Sequence, residues 1–373
     1  MNQSLFMAQA ISLAQRAKGK TCPNPCVGAV ITAGDEIIGQ GYHQAYGQSH
    51  AEVEAITDAR TTGCDLSQCT LYVTLEPCNH TGKTPPCTKA ILEAGIKNVV
   101  IGTKDPNENV SGGGAAFLSQ SGVHVTCGIE EQKCLDLIAD FNTWQKTSRA
   151  YLYLKMASTL DGRIATRSGH SQWVTSDISR KSVHELRSKV GAVIVGGNTF
   201  YQDNPRLNCR TADFQKQPLA IIVTSKLPSP DSDFYLIRER AQETIFWTDQ
   251  KISESKQAQR LKDIGCEVTG LNKTLSGLDL EQGLTLLRQK KNIYYALCEG
   301  GGKLSLSFLE AKLADEIWHF IAMKILGDNQ AIPVFQGRTT QTMDKSFDLR
   351  LSESKTMGND LLLKLFPKIA TVN

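Results

Sequence analysis

Strand-like apolar segments alternate with helix-like segments along most of this chain, and that alternation restricts it to the α/β class. In the first half, residues 27–33, 70–75 and 98–102 read as strands, and 49–62 and 88–94 as helices. Leu5, Phe6, Ile11, Leu13, Ala14 and Ala17 recur at roughly helical spacing in the opening stretch, and 130–147 reads as a closing helix. Tyr151 begins a second series, with strands expected near 151–157, 191–195, 219–224, 244–247, 293–298 and 316–322. The 373 residues exceed one ordinary domain of ~100–200 residues. The polar stretch 145–149 is therefore read as a boundary, giving domains at 1–147 and 148–373. The polar piece 225–290 leaves its element boundaries open, and there is no internal repeat or low-complexity tract.

Composition excludes several function classes. Basic and acidic side chains number 41 and 38, a net charge of +3, which is no electrostatic footprint for nucleic acid. It leaves room for a small phosphorylated substrate, which needs only a few local cations. No run approaches the ~18–20 apolar residues of a membrane helix. The opening residues lack the early positive charge and unbroken apolar core of an export signal. A cytoplasmic enzyme with reduced thiols is the expectation, since the eleven cysteines are odd in number. Eight of the eleven precede residue 135, which points to sulfur chemistry in the first half.

That chemistry has a pattern. His50-Ala51-Glu52 opens a predicted helix, Pro77-Cys78 follows a predicted strand, and Cys87 comes nine residues later. One imidazole and two thiolates suit zinc and leave a fourth tetrahedral position open, as catalytic zinc requires. Such a metal lowers the pKa of water towards ~7. Glu52, two residues from the histidine, is placed to move protons between that water and a leaving amine. His-x-Glu with Pro-Cys is the signature of zinc deaminases, although the cysteine spacing here is longer than the usual two intervening residues. Two buried thiols and a capping histidine would be the bland alternative. A closed structural zinc would need His80 or Cys69 as fourth ligand, at spacings that do not favour it.

Three segments of the second half carry chemistry: Lys155 to Ala165 with Asp161-Gly162 at a turn, Gly191 to Arg210, and Glu299-Gly300-Gly301-Gly302-Lys303-Leu304. Glycines where a strand meets a helix let backbone N–H groups face a phosphate. No G-x-G-x-x-G is present, and a glycine triplet is often only a turn. Two glycine-bearing strand ends, VIVGGNT and EGGGKL, nevertheless suggest one shared crevice. Arg187 and Arg210 suit phosphate because guanidinium binds it as a fork, although Arg187 also reads as part of a solvated helix face.

PNPCVGAV at 23–30, HAE at 50–52 and TLEPCNHTGKTPPC ending at Cys87 resemble the deaminase domain of the bifunctional riboflavin-biosynthesis deaminase/reductases. KMASTLDGRIAT, SQWVTS, DNPRLNCR and EGGGKL resemble their reductase domain, so the likeness spans both halves in order. It implies a three-layer cytidine-deaminase-like domain followed by a dihydrofolate-reductase-like α/β domain. It implies Zn2+ on His50, Cys78 and Cys87, Glu52 as proton shuttle, and deaminase substrate contacts from Asn24, His43, Lys83, Asp105 and Asn107. For the reductase it implies NADPH against Ala157, Trp173, Thr199, Asp203, Gly300, Gly301 and Gly302. Substrate contacts would come from Lys155, Ser171, Arg187, Leu207, Arg210 and Glu299. Asn208 stands where the family commonly has threonine.

The implied reactions are deamination of 2,5-diamino-6-ribosylamino-4(3H)-pyrimidinone 5′-phosphate, then NADPH reduction of the ribosyl group to ribityl through its ring-opened imine. Glu299 or Lys155 would be the candidate acid. The expected partner is this small phosphorylated pyrimidine, not nucleic acid or membrane, and the chain is expected to be a homo-oligomer, dimer or tetramer. Three rivals predict otherwise: a nucleic-acid base deaminase with an RNA-binding appendage, a non-catalytic zinc scaffold, and a deaminase whose second half is inactive.

Overall fold

The computed structural model describes residues 2–81, 85–106, 113–210 and 216–368. They form two compact units, Met1–Thr147 and Ser148–Asn373.

The first unit runs α1 (Gln3–Gln15), β1 (Gly28–Ala33), β2 (Glu36–Tyr42), α2 (Ala51–Arg60), β3 (Thr70–Leu75), α3 (Cys87–Glu93), β4 (Asn98–Thr103), α4 (Gly114–Gln120), β5 (His124–Cys127), α5 (Glu131–Leu137) and α6 (Ala139–Lys146). Its sheet has the order β2-β1-β3-β4-β5. Alternation along each strand separates two cores. Ala29, Ile31, Leu71, Val73, Val99 and Ile101 face α2, α3 and α4, whereas Val30, Tyr72 and Val100 pack with Phe6, Met7 and Ala10 of α1. The result is the three-layer arrangement expected of a covered sheet. Two differences from the sequence reading have local causes. The helix expected over 130–147 is broken at Ile138, whose φ of −103° and ψ of 18° are not helical. β2 was not anticipated because it carries Gly39 and Gly41, poor strand formers. They let the edge strand come close to α2, where a Cβ on Gly41 would lie 2.4 Å from the Ala51 carbonyl oxygen.

The second unit is built on β6 (Tyr151–Thr159), β7 (Arg163–Ala165), α7 (Asp177–Arg187), β8 (Ala192–Gly196), α8 (Gly197–Asp203), β9 (Leu219–Val223), α9 (Tyr235–Arg238), β10 (Thr244–Asp249), α10 (Gln250–Ser253), α11 (Lys256–Asp263) and β11 (Glu267–Leu271). It continues through the small hairpin β12 (Lys273–Thr274) and β13 (Gly277–Leu278), α12 (Leu280–Lys291), β14 (Tyr295–Cys298), α13 (Gly302–Glu310), β15 (Glu316–Ala322), β16 (Ile332–Pro333), β17 (Leu349–Met357) and β18 (Asp360–Pro367). Nine strands form one sheet in the order β11-β10-β9-β8-β14-β6-β15-β18-β17. β18 and β17 join antiparallel, and the other neighbours are parallel. Leu152, Leu154, Ile194, Ile221, Ala296 and Ile317 bury one face under α12 and α13. Val183 of α7 packs on the other with Phe320, Met357 and Leu362. β17 carries a polar, exposed sequence, which hid this edge strand from apolar patterning. Among the described residues no helix is long and apolar enough to cross a membrane.

Candidate functional sites

In the first unit, the carboxyl end of β3 and the amino ends of α2 and α3 meet. His50 is the residue before α2, Cys87 is the first residue of α3, and Cys78 lies in the loop after β3. Their ligand atoms all fall within 4.8 Å of one another, the one such group among the described residues. His50 presents Nδ1, 3.1 Å from Cys87 Sγ and 3.6 Å from Cys78 Sγ. The Cys87 amide donates to Cys78 Sγ at 3.3 Å, so a helix amino end supports the thiolate. The hydrogen bond from Cys87, with His50, holds the Cys78 thiol well below the usual thiol range, while pairing with Cys78 and burial push Cys87 up. His80 lines the nearby cavity but is not in the three-ligand group, and Cys69 instead bonds the Asp65 carbonyl.

Glu52 lies in the first turn of α2, only 3% exposed. Burial, then the charge of Cys78, raises it to about 7. It lines a cavity of about 350 Å³ together with Asn24, His43, His50, Cys78 and Asp105. His43 Nδ1 donates to the Ser49 carbonyl at 3.0 Å, which leaves Nε2 to accept from Asn24 Nδ2 at 3.3 Å. Burial lowers the His43 pKa, favouring this neutral form. Lys83 and Asn107 lie outside the described residues.

Glu76, directly before Pro77-Cys78, has a carboxylate that accepts from the Asp105 amide at 3.2 Å and the Ala115 amide at 2.9 Å. It thus joins the loop after β3 to the loop after β4. Gly114 makes that approach possible, since a Cβ there would sit 1.9 Å from the Pro77 carbonyl oxygen. Phe141 and Gln145 of α6 also line the cavity. Their i,i+4 spacing had no feature to distinguish it from an ordinary helix face.

The second unit holds a cleft of about 420 Å³ at the carboxyl ends of β8 and β9, where open parallel sheets bind ligands. Both glycine runs line it, through Gly196 and Gly197 on one side and Gly301 and Gly302 on the other. Ser171, Thr199 and Asp203 line it as well. No side chain caps α13, whose amino end therefore offers backbone N–H groups. A Cβ on Gly302 would lie 2.8 Å from the Val334 carbonyl oxygen, so only glycine lets this turn close. Gly300 joins the two sides, its carbonyl accepting from the Gly196 amide at 2.9 Å. Thr224 and Ser225 also line the cleft and carried no motif.

Other expected residues lie outside this lining. Ala157 packs against the Phe320 cluster, and Trp173 is 60% exposed with the Arg180 guanidinium 4.3 Å above its ring. Arg187 and Glu299 form a paired fork at 2.5 and 2.8 Å, with side chains only 12% and 10% exposed. Burial alone would raise Glu299, but the charge and hydrogen bonds of Arg187 keep it below the ordinary carboxylate range. Lys155 lies within electrostatic reach of both, and burial pulls its pKa down. Arg210 belongs to the same group, its pKa lowered by burial and then by Arg187. Leu207 is buried at φ +48°, a left-handed conformation uncommon for leucine.

Comparison with known proteins gives this architecture a family. Residues 1–103 match the cytidine and deoxycytidylate deaminase zinc-binding region. Residues 150–363 match the RibD C-terminal domain. The riboflavin biosynthesis protein RibD of Aquifex aeolicus is 41% identical, with 96% of each chain covered. Its Escherichia coli counterpart is 34% identical over 98% of this chain and 99% of its own. The Thermotoga maritima diaminohydroxyphosphoribosylaminopyrimidine deaminase/5-amino-6-(5-phosphoribosylamino)uracil reductase superposes with a TM-score of 0.76 at 37% identity, covering 98% of this chain and 99% of that one. Acinetobacter baumannii RibD gives 0.73 at 34% identity, with the same coverage. The chain belongs to the RibD family, the bifunctional deaminase/reductases of riboflavin biosynthesis.

Proposed function

We propose that the first cavity deaminates 2,5-diamino-6-ribosylamino-4(3H)-pyrimidinone 5′-phosphate and that the second unit reduces the resulting 5-amino-6-(5-phosphoribosylamino)uracil with NADPH. The observation that carries the reading is the meeting of three metal-binding atoms within 4.8 Å beside a buried Glu52 in an open cavity.

The donor set fits zinc: one imidazole and two thiols, with three protein ligands rather than four. Zinc held there supplies Lewis acidity, making a water nucleophilic near neutral pH. Glu52 takes a proton from the attacking water and returns it to the amine, so that water adds, ammonia leaves and a carbonyl remains. Asn24 and His43, already linked, hold the heterocycle, and Asp105 is set by the Glu76 bridge. Lys83 and Asn107 are kept in the same role on family grounds.

The glycine-lined cleft fits the diphosphate of NADPH, because added side chains would fill it and an uncapped helix end borders it. NADPH supplies the hydride delivered to C1′ of the ring-opened imine. Gly300, Gly301, Gly302, Thr199 and Asp203 hold the cofactor, with Ala157 and Trp173 at its margin. Arg187 and Arg210 favour the substrate phosphate, while Ser171 and Leu207 border the sugar. Glu299 is already engaged by two Arg187 N–H groups, which leaves Lys155 as the better proton donor of the two. Family membership also leads us to propose a cytoplasmic homo-oligomer, which fractionation and light scattering test.

Mass spectrometry of the pyrimidine nucleotide tests both steps. Zinc-loaded protein alone should exchange amine for oxygen, and adding NADPH should then add two hydrogens. No change in either tube, with both cofactors bound, would remove the substrate assignment.

A further inference from the structure

Residues 204–210 belong to no helix or strand, so the backbone there lacks a ladder to satisfy it. Side chains from elsewhere take that place over three consecutive residues. Arg187 Nη1 donates to the Asn208 carbonyl at 2.8 Å. Gln217 accepts from the Cys209 amide at 2.7 Å and donates to the Cys209 carbonyl at 3.1 Å, imitating a strand neighbour. His184 Nδ1 accepts from the Arg210 amide at 3.3 Å. Upstream, Arg240 Nη1 holds the Arg206 carbonyl at 2.8 Å. His184 and Arg187 are three residues apart on α7 and so share one helix face.

We propose that His184 and Gln217 are positioning residues of the reductase site, clamping the Cys209–Arg210 backbone so that Arg210 meets the substrate phosphate beside Arg187. This rests on the assignment of Arg210 to the substrate. Among the described residues, Glu299, bound in a fork by Arg187, is the carboxylate acting on Arg210, while Arg187 and Arg206 repel it. A phosphate dianion complements the cations gathered there. The clamp needs the lone pair on Nδ1, hence a neutral ring. Burial, followed by the charges of Arg187 and Arg210, lowers His184 to about 4 against the opposing pull of Glu299, so that lone pair is present at working pH. With the loop fixed in advance, Arg210 forfeits less freedom when the phosphate arrives.

The test is the reductase assay on previously deaminated nucleotide, with the full chain and deaminase activity as a check on folding. His184→Ala and Gln217→Ala should each raise the nucleotide KM roughly tenfold, as expected for weakening a bond to a charged group. The NADPH KM and kcat should stay within about twofold. His184→Asn should restore the KM, because its carboxamide oxygen takes the place of Nδ1, whereas His184→Gln, which mimics Nε2, should not. Inorganic phosphate should inhibit the His184→Ala protein more weakly than the parent. In an Arg210→Ala background, His184→Ala should add less than about a twofold change, since coupled residues are not additive. Full additivity, equal rescue by Asn and Gln, or an unchanged KM in His184→Ala with Arg210→Ala impaired would overturn the clamp. An Arg210→Ala protein with an unchanged nucleotide KM would instead remove the phosphate assignment itself.

Discussion

The two units solve the problem of site construction in opposite ways. In the first, a few side chains converge: His50, Cys78, Cys87 and Glu52 lie together on two helix ends and a loop. In the second, much of the cleft is backbone, with glycines from two strand ends beside a network of paired cations and one carboxylate. A site made of a few converging groups loses its function with any one of them. A site made of backbone and an ion network degrades by degrees. The comparison therefore predicts sharp losses in the deaminase and graded ones in the reductase.

The largest effect should come from metal removal. Dialysis against a chelator is expected to abolish deamination while reduction of previously deaminated nucleotide continues unchanged, and zinc should restore the loss. A parallel fall in reduction would break the separation of the two sites. Next, Glu52→Gln should lower deaminase kcat by roughly 10²–10⁴, the usual contribution of a general acid/base. Zinc content should stay at the parent level, because the ligand atoms are untouched. An unaltered kcat would place the proton transfer elsewhere.

This contrast also governs what could be read without coordinates. His50, Glu52, Cys78 and Cys87 form a legible pattern because metal chemistry demands few residue types, and short-range structure places His50, Glu52 and Cys87 at helix ends and Cys78 in the loop after β3. The alternation of strands and helices was legible for the same reason: burial imposes a period on each element. Glu76 was not, because its contribution is two hydrogen bonds to amides 29 and 39 residues away. Gln217 was hidden likewise, in a polar stretch with no periodicity, although it pairs with both backbone groups of Cys209. β17 escaped because an exposed edge strand needs no apolar face. Long-range backbone satisfaction leaves little trace in local sequence, and the reductase site depends on it more than the deaminase site does.

Two changes grade the second site. Glu299→Gln leaves Arg187 and Lys155 without their buried counter-charge, and removing one partner of a buried pair costs roughly 3–5 kcal/mol. Chemical denaturation should register that loss, with deaminase turnover per folded molecule unchanged. Gly302→Ala places a methyl against the Val334 carbonyl, an overpacking cost of roughly 1–3 kcal/mol. It should raise the NADPH KM and leave zinc content alone. A Gly302→Ala protein with parental NADPH affinity would mean that the glycine turn is not part of the cofactor cleft.

The smallest expected effect is a slope with pH, and it sharpens the contrast because it comes from a buried histidine beside the ion network. His319 on β15 bonds Ser158 Oγ at 2.8 Å through Nε2. Burial, then the charge of Lys155, lowers its pKa from 6.5 to about 4. Below its ordinary pKa the unfolded chain takes up a proton that the folded chain refuses, so the unfolded state binds more protons between about 6.5 and 4. Stability therefore falls as pH drops through that window and levels off below it. His184 adds a slope of the same sign. His319→Gln, which keeps a partner for Ser158 but has no titrating group, should flatten the stability difference between pH 7 and pH 5 measured by denaturant midpoint. If parent and variant lose stability in parallel over that range, His319 is protonated in the folded protein as readily as in the unfolded chain, and neither burial nor Lys155 sets its charge.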